Sequence, residues 1–481
     1  MRAFLTLILG LGLALAAPAS ARDAGQQRLG DSQHPAVVDE FGRFDDPDLQ
    51  SYVDGVARRI IAVTPEAAEP WTLTILDTPV VNAFALPGGY VYVTRGLLAL
   101  ANDEAELAGV LAHEIAHITL GHGERRNDRG VKAGVGLVLG TVVGGLLGGK
   151  DGARDVLRHG SRLMMGYMAN YSREQEYRAD AEGVRLLAGA GYDPAAQADF
   201  LAGLAAMTGL QADLAGREYN PGTVEFFDSH PATADRIDRA RDLAAETGSA
   251  ATRRNEEAYL SAIDGLIFGD SRAQGFVRGS RFLHPDLMFA FQVPPGFTIL
   301  NANRAVTARG PGGSLMVLEG ATAWPGALDR FITDEWLPAI ARDTRTSGLA
   351  RLQTTDINGL PAATARVTIE TADGPRRAVL AAIRMGDRVY RLTGLAPPGD
   401  RDRLRALAEA MQSFRPLSPS EAAALHPWRI RQHRVRPGDS LNLLSATMPM
   451  EQGQDRWFRV LNGYAEGQDP QPGDRVKLVA E

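Results

Sequence analysis

The stretch VLAHEIAHITLGHG, Val110–Gly123, sets two histidines four residues apart with a glutamate beside the first. On an α-helix, positions i and i+4 lie one turn apart on one face, so His113 and His117 can aim two imidazoles at one cation. Glu114 sits within reach of a water bound to that cation and can serve as its base. The competing reading is a core helix with hydrogen-bonded histidines. It would bury three polar side chains among Val110, Leu111, Ile115 and Ile118, each needing a partner, and the metal site is the better reading. A catalytic zinc wants a third protein ligand and one open position. His122 is nearest, but it follows His117 by five residues and rotates off the ligand face. The spacing also departs from HExxHxxGxxH, with Leu120 where the glycine belongs and Gly123 where the last histidine belongs. YSREQEYRADAEG, Tyr171–Gly183, offers Glu176 and Asp180 one turn apart. Glu176 as ligand and Asp180 as acceptor for a histidine N–H would complete the site. Taken alone, that segment reads as a solvated charged helix.

The elements that must carry these residues are legible nearby. Asn102 or Asp103 can cap the helix that holds His113, Glu104 and Glu106 suit its positive end, and Gly121 or Gly123 can stop it. Ahead of it, WTLTILD (Trp71–Asp77) alternates like a strand, and Pro87-Gly88-Gly89 is a turn between the β-prone runs NAFAL and YVYVT. A second long helical pattern runs from about Asp151 to Ala190, stopped by GAGYDP. PAAQADFLAGLAAMTGL and PATADRIDRARDLAAETG read as further helices, separated by an irregular loop, Arg217–Ser229.

In order, NAFALPGGYVYVTRGLL, ELAGVLAHEIAHITLGH, SREQEYRADAEG and SHPATADRI resemble the HtpX- and CAAX-prenyl-protease-like zinc metallopeptidases, with the secreted, BepA-like members nearest in look. The resemblance covers about Val37–Gly248. It implies a gluzincin: a mainly helical domain with a small β-hairpin or sheet, one Zn2+ per chain, His113, His117 and Glu176 as metal ligands, Glu114 as catalytic base and Asp180 as the acid one turn after the third ligand. It implies peptide-bond hydrolysis in which Glu114 takes a proton from the attacking water and returns it to the leaving amine. Two features depart from the family: many members span membranes several times, and secreted members often end in helical repeats that this sequence lacks.

Other segments carry weaker signals. His230, in FFDSHPATADRI, is a candidate hydrogen-bond donor to the developing oxyanion, or an inhibitory ligand in the open position; with Pro231 as first helical residue it can equally be a helix N-terminal histidine without a role. The hairpin strand at Asn82, Ala83 and Phe84 can pair an extended substrate as an edge strand, or be structural only. The apolar, glycine-rich run 131–149 reads as a buried hairpin, a flap over the site, a loop making peripheral membrane contact, or a true span.

The remaining chain divides by texture. The metallopeptidase domain is expected over 22–270. Short alternating runs with two helical stretches make 280–416 an α+β domain on an antiparallel sheet, of unknown role. Residues 417–432 form a linker, and 433–481 read as a small βααβ unit resembling a LysM domain, whose typical members bind peptidoglycan. The fold class is thus α+β multidomain. A positive charge at Arg2, an apolar run from Ala3 to Ala17 and the small-residue site at Ala19–Ala21 mark 1–21 as a cleaved signal peptide. The expected location is the periplasm. With 0 cysteines there is no disulfide framework and no lipid-modified cysteine. The formal net charge of −7 argues against nucleic-acid binding.

The sequence therefore predicts a periplasmic zinc endopeptidase for misfolded or unassembled envelope and outer-membrane proteins, with peptidoglycan or the outer-membrane assembly machinery as further partners. The alternative is a non-catalytic chaperone or scaffold binding unfolded chains or peptidoglycan. A glycan hydrolase ranks last, since no carboxylate pair supports it.

Overall fold

The computed structural model describes residues 24–122, 171–214 and 233–481, apart from 303, 304, 344, 372 and 373. The proposed signal peptide, the apolar run 131–149 and His230 lie outside the described residues. Among the described residues no helix is long and apolar enough to cross a membrane.

Helices α1 (Ala24–Phe41) and α2 (Pro47–Ile61) open the chain. Asp46 caps α2 by accepting from the Leu49 amide at 3.0 Å, with Pro47 at the first helical position, where no N–H is needed. Strands β1 (Thr72–Leu76), β2 (Ala83–Leu86) and β3 (Tyr90–Thr94) form a sheet in the order β1-β3-β2. β3 pairs parallel with β1 and antiparallel with β2, so the hairpin read at Pro87-Gly88-Gly89 is present and β2 is an edge. Gly88 and Gly89 both take φ +85°, which that turn requires.

Helix α3 (Arg95–Leu100) leads into α4 (Glu104–Thr119). Asp103 is the residue that caps α4, accepting from the Glu106 amide at 2.8 Å, while Glu106 reaches back to the Asn102 amide at 2.8 Å. Helices α5 (Arg173–Gly189) and α6 (Ala196–Leu214) pack on α4, α7 (Ala234–Glu246) packs on α5 and α6, and α8 (Glu256–Ala262) packs against α2 and α4. The close fit of α4 to α5 and α6 depends on two glycines. A Cβ at Gly183 would lie 2.8 Å from the Gln197 side chain and 3.3 Å from the His113 amide, and one at Gly109 would crowd the Gln197 backbone at 3.2 Å. Helix α7 starts later than the sequence suggests. Thr233 is its cap, accepting from the Arg236 amide at 3.3 Å, and Ala234 is its first residue.

A two-residue strand β4 (Ile267–Phe268) is followed by the sheet-rich region. Strands β5 (Phe276–Arg278), β6 (Arg281–His284) and β7 (Phe289–Gln292) form one small sheet. Seven antiparallel strands form the other: β8 (Thr298–Ala302), β9 (Ala305–Gly310), β10 (Ser314–Ala323), β11 (Thr346–Ile357), β12 (Leu360–Thr371), β13 (Gly374–Met385) and β14 (Arg388–Leu395). Both faces of that sheet are covered. Leu404, Leu407 and Met411 of α9 (Arg401–Met411) fill one side, and Phe331, Ile332, Trp336 and Ile340 fill the other. Strand β15 (Arg415–Pro416) adds to β7.

The last unit has strand β16 (Trp428–Arg434), helices α10 (Leu441–Ser445) and α11 (Gln454–Asn462), and strand β17 (Arg475–Ala480). Its first strand begins at Trp428 rather than His433 and pairs with β4 as well as β17. Phe458, Leu461, Val476 and Val479 are buried in the same apolar core as α2, α3 and α4. Lys477, 1% exposed, donates through Nζ to the carbonyls of Ala99, Leu100 and Ala101 at 2.9, 2.9 and 2.7 Å. It thereby satisfies the carbonyls that the end of α3 leaves without helical partners. Phe458→Ala should therefore cost about 3–5 kcal/mol. The helical core around α4 should lose that stability in the same thermal transition. A separate low-temperature transition, with the main one unmoved, would show that the unit is only loosely attached.

Candidate metal centre

His113, Glu114 and His117 all lie on α4, and Glu176 and Asp180 on α5, whose cap is a reciprocal pair between Ser172 and Gln175. The five side chains are buried. His113 Nε2 and His117 Nε2 are 3.1 Å apart. Glu176 Oε2 lies 3.5 Å from His113 Nε2, and its Oε1 lies 3.5 Å from His117 Nε2. Ligand atoms bound to one zinc at about 2.0–2.1 Å in tetrahedral geometry would be roughly 3.3 Å apart. The three observed separations bracket that value, so the residues fit the ion. Among the described residues these three are the one group of histidine and acid side chains close enough to share a metal.

The surroundings fix the ligands. His113 Nδ1 lies 3.0 Å from Asp180 Oδ1, an arrangement in which the Nδ1–H donates and the Nε2 lone pair faces His117 and Glu176. Burial opposes charge on His113, but hydrogen bonds from it to Asp180 and Glu176 outweigh that and push it up to about 10 when no cation competes. Arg236 braces both acids. Its Nη1 donates to Glu176 Oε2 at 2.9 Å, its Nη2 to Asp180 Oδ1 at 2.7 Å and its Nε to Asp180 Oδ2 at 2.8 Å. Burial raises the Asp180 carboxyl, yet the Arg236 guanidinium holds it down at about 2. Gln197 on α6 donates to Asp180 Oδ1 at 3.2 Å and to its carbonyl at 3.3 Å.

A cavity adjoins the centre. His113, Glu114, Asp180 and Arg236 form its polar wall, Val81, Leu97, Val110, Phe200, Leu201 and Leu204 its apolar wall, and Asn82 and Ala83 of the β2 edge a third side. The structure thus gathers seven of the predicted site residues, five at the centre and two on the cavity wall, and turns one away. Phe84 faces the opposite side of its strand, stacking on Tyr92 at 4.7 Å in a core with α1. Alternation along a strand requires this: if Ala83 borders the cavity, Phe84 points away.

Residues 45–244 match peptidase family M48. This part of the chain is an M48 metallopeptidase domain. The M48 match takes in the four motifs from NAFALPGG to SHPATADRI. The beta-barrel assembly-enhancing protease of Escherichia coli is 25% identical over 300 residues, covering 58% of this chain and 57% of that protein. The mitochondrial metalloendopeptidase OMA1 of Schizosaccharomyces pombe is 32% identical over 174 residues, covering 35% of this chain and 49% of that one. In both cases the matched stretch is less than two thirds of the relative. A solved structure of PsbP from a Synechocystis cyanobacterium aligns with 30% of this chain and 98% of its own at a TM-score of 0.25 and 11% identity, too low to assign a fold.

Sequence reasoning about the M48 domain passed over Arg236. The signal was available: Arg236, Ala240 and Ala244 fall at i, i+4 and i+8 and form the buried stripe of α7. An arginine on that stripe demands a buried acid. Tyr171 was also passed over; its ring stacks on His117 at 3.7 Å between centroids.

Proposed function

We propose that the chain is a periplasmic zinc endopeptidase that hydrolyses misfolded or unassembled envelope and outer-membrane proteins. The observation that carries this reading is the convergence of His113, His117 and Glu176 on one point, next to a cavity that His113 and Glu114 line and that the sheet edge β2 borders. His113, His117 and Glu176 would hold the ion, with Asp180 and Arg236 keeping the first and third of these side chains in place. When bound, zinc supplies Lewis-acid activation of a water and of the scissile carbonyl. Glu114 accepts the proton of the attacking water and delivers it to the leaving amine. Among the described residues β2 is an edge strand, and such an edge offers backbone groups to an extended chain whatever its sequence, which suits unfolded substrates. His230 remains a candidate donor to the oxyanion or an inhibitory ligand.

The signal-peptide-like pattern of residues 1–21 and the name of the Escherichia coli relative, a beta-barrel assembly-enhancing protease, support the envelope location and substrate class. For the βααβ unit the burial of Phe458, Leu461 and Lys477 against the M48 core supports a packing role ahead of peptidoglycan binding. The test uses the full chain. Zinc content should be about one per chain, and unfolded casein should be cleaved, with the cleavage lost on chelation and restored by zinc. Failure to take up zinc would sink the enzyme reading and leave a scaffold; zinc uptake without cleavage would indicate a latent site, which His230→Ala should open if His230 is the inhibitory ligand.

A further inference from the structure

We infer that His122 is a positioning residue for the metal centre, set in place by the turn that ends α4. This rests on the metal reading of the centre given above. On a continued helix, residue 122 would lie well away from the face of His117. The chain does not continue the helix. Leu120 is the cap, and Gly121 takes φ +63°, the left-handed conformation that suits glycine. The His122 amide then bonds back to the His117 carbonyl at 3.0 Å, and the Gly121 amide to the Ile118 carbonyl at 2.9 Å. These are the two bonds of a Schellman motif, which folds the second residue past the cap over the last turn.

In most such motifs an apolar contact accompanies the turn. Here it is a polar one. His122 is 3% exposed, and its Nδ1 lies 3.0 Å from His117 Nδ1, with the rings edge-on at 69° and 5.0 Å between centroids. Two ring nitrogens at that distance share one proton, so one donates and the other accepts. His117 Nε2 faces His113 Nε2 and Glu176, so the tautomer that serves the centre carries its proton on Nδ1. His122 must then accept through its own Nδ1 and carry its proton on Nε2. The centre thus holds both ligand histidines in one tautomer by different acceptors: Asp180 for His113, and a neutral imidazole for His117. Tyr171 stacked on the open face of His117 limits ring rotation. The Gln175 amide side chain reaches the His122 carbonyl at 3.5 Å and ties the turn to the start of α5.

The experiment compares zinc affinity, measured by competition with a chromophoric chelator, for the full chain and for His122→Leu and His122→Asn. Asparagine can place its carbonyl oxygen near the position of the histidine Nδ1; leucine offers no acceptor. His122→Leu should bind zinc about 10–100-fold more weakly, the usual loss when such an outer partner is removed, while His122→Asn should stay within a few-fold of the unaltered protein. Melting of the three metal-free proteins separates this from general destabilisation. Unchanged zinc affinity in His122→Leu overturns the assignment, and so does an equal loss in both variants, since rescue by an acceptor is its signature. If the unaltered protein itself takes up no zinc, the metal reading falls and this assignment with it; normal uptake there with no response in His122→Leu sinks only the assignment.

Discussion

Glu114→Gln should lower kcat for casein cleavage by about 10²–10⁴-fold, the usual worth of a positioned general base, with zinc content unchanged. Glu114 is not among the three groups that converge on the ion position, so its loss leaves the ligand set intact. It is 2% exposed and borders the cavity where a substrate would enter. Glutamine preserves its size and one acceptor oxygen but cannot take a proton. The loss should therefore appear in kcat with little change in KM. Zinc content by atomic absorption on the same preparation distinguishes a missing base from a missing metal. A variant that keeps both zinc and full activity would move the base to another residue and undo the proposed roles.

The second large effect concerns stability. Arg236→Met should destabilise the metal-free protein by about 3–5 kcal/mol, because it removes the guanidinium that pairs with two buried carboxylates at once. Arg236 is 3% exposed and contacts both Glu176 and Asp180 at 2.9 Å or less. For a domain of this size the melting temperature should fall on the order of 10 °C. Saturating zinc should return part of the loss, since a cation held by Glu176 offsets one of the two stranded charges and binds only the folded state. Calorimetry with and without zinc reads both effects. Adding Asp180→Asn to Arg236→Met should recover part of the stability, because the second change removes a charge the first one strands. An unaltered melting temperature in the metal-free variant would mean that the acids are neutralised by something other than Arg236.

Spacing alone determined much about this protein. The i, i+4 pair of His113 and His117, the adjacent Glu114, and Glu176 with Asp180 are all local patterns, and local periodicity fixes which side chains share a helix face. Asp103 as a cap and the Pro87-Gly88-Gly89 turn were legible for the same reason: they depend on a few neighbouring residues and on backbone conformations that few residue types adopt. Even Arg236 left a trace, in its place on the alanine stripe of α7.

Other features depended on contacts between residues distant in sequence. Arg236 meets Asp180 across 56 positions, and Lys477 caps the end of α3 across more than 370. No periodicity encodes such pairings, because they arise when packed elements each bring one unmet charge or carbonyl to a shared dry interior. The last unit reads in sequence as a separate module; its burial on the M48 core emerges only when β16 pairs with β4. His122 is the sharpest case. Helical spacing excluded it from the face of His117, and the left-handed turn at Gly121 put it there. Sequence determined the chemistry available, since that is a matter of residue type and local geometry. Tertiary structure decided which charges are balanced and which tautomers are held, since both depend on groups that only folding brings within hydrogen-bond distance.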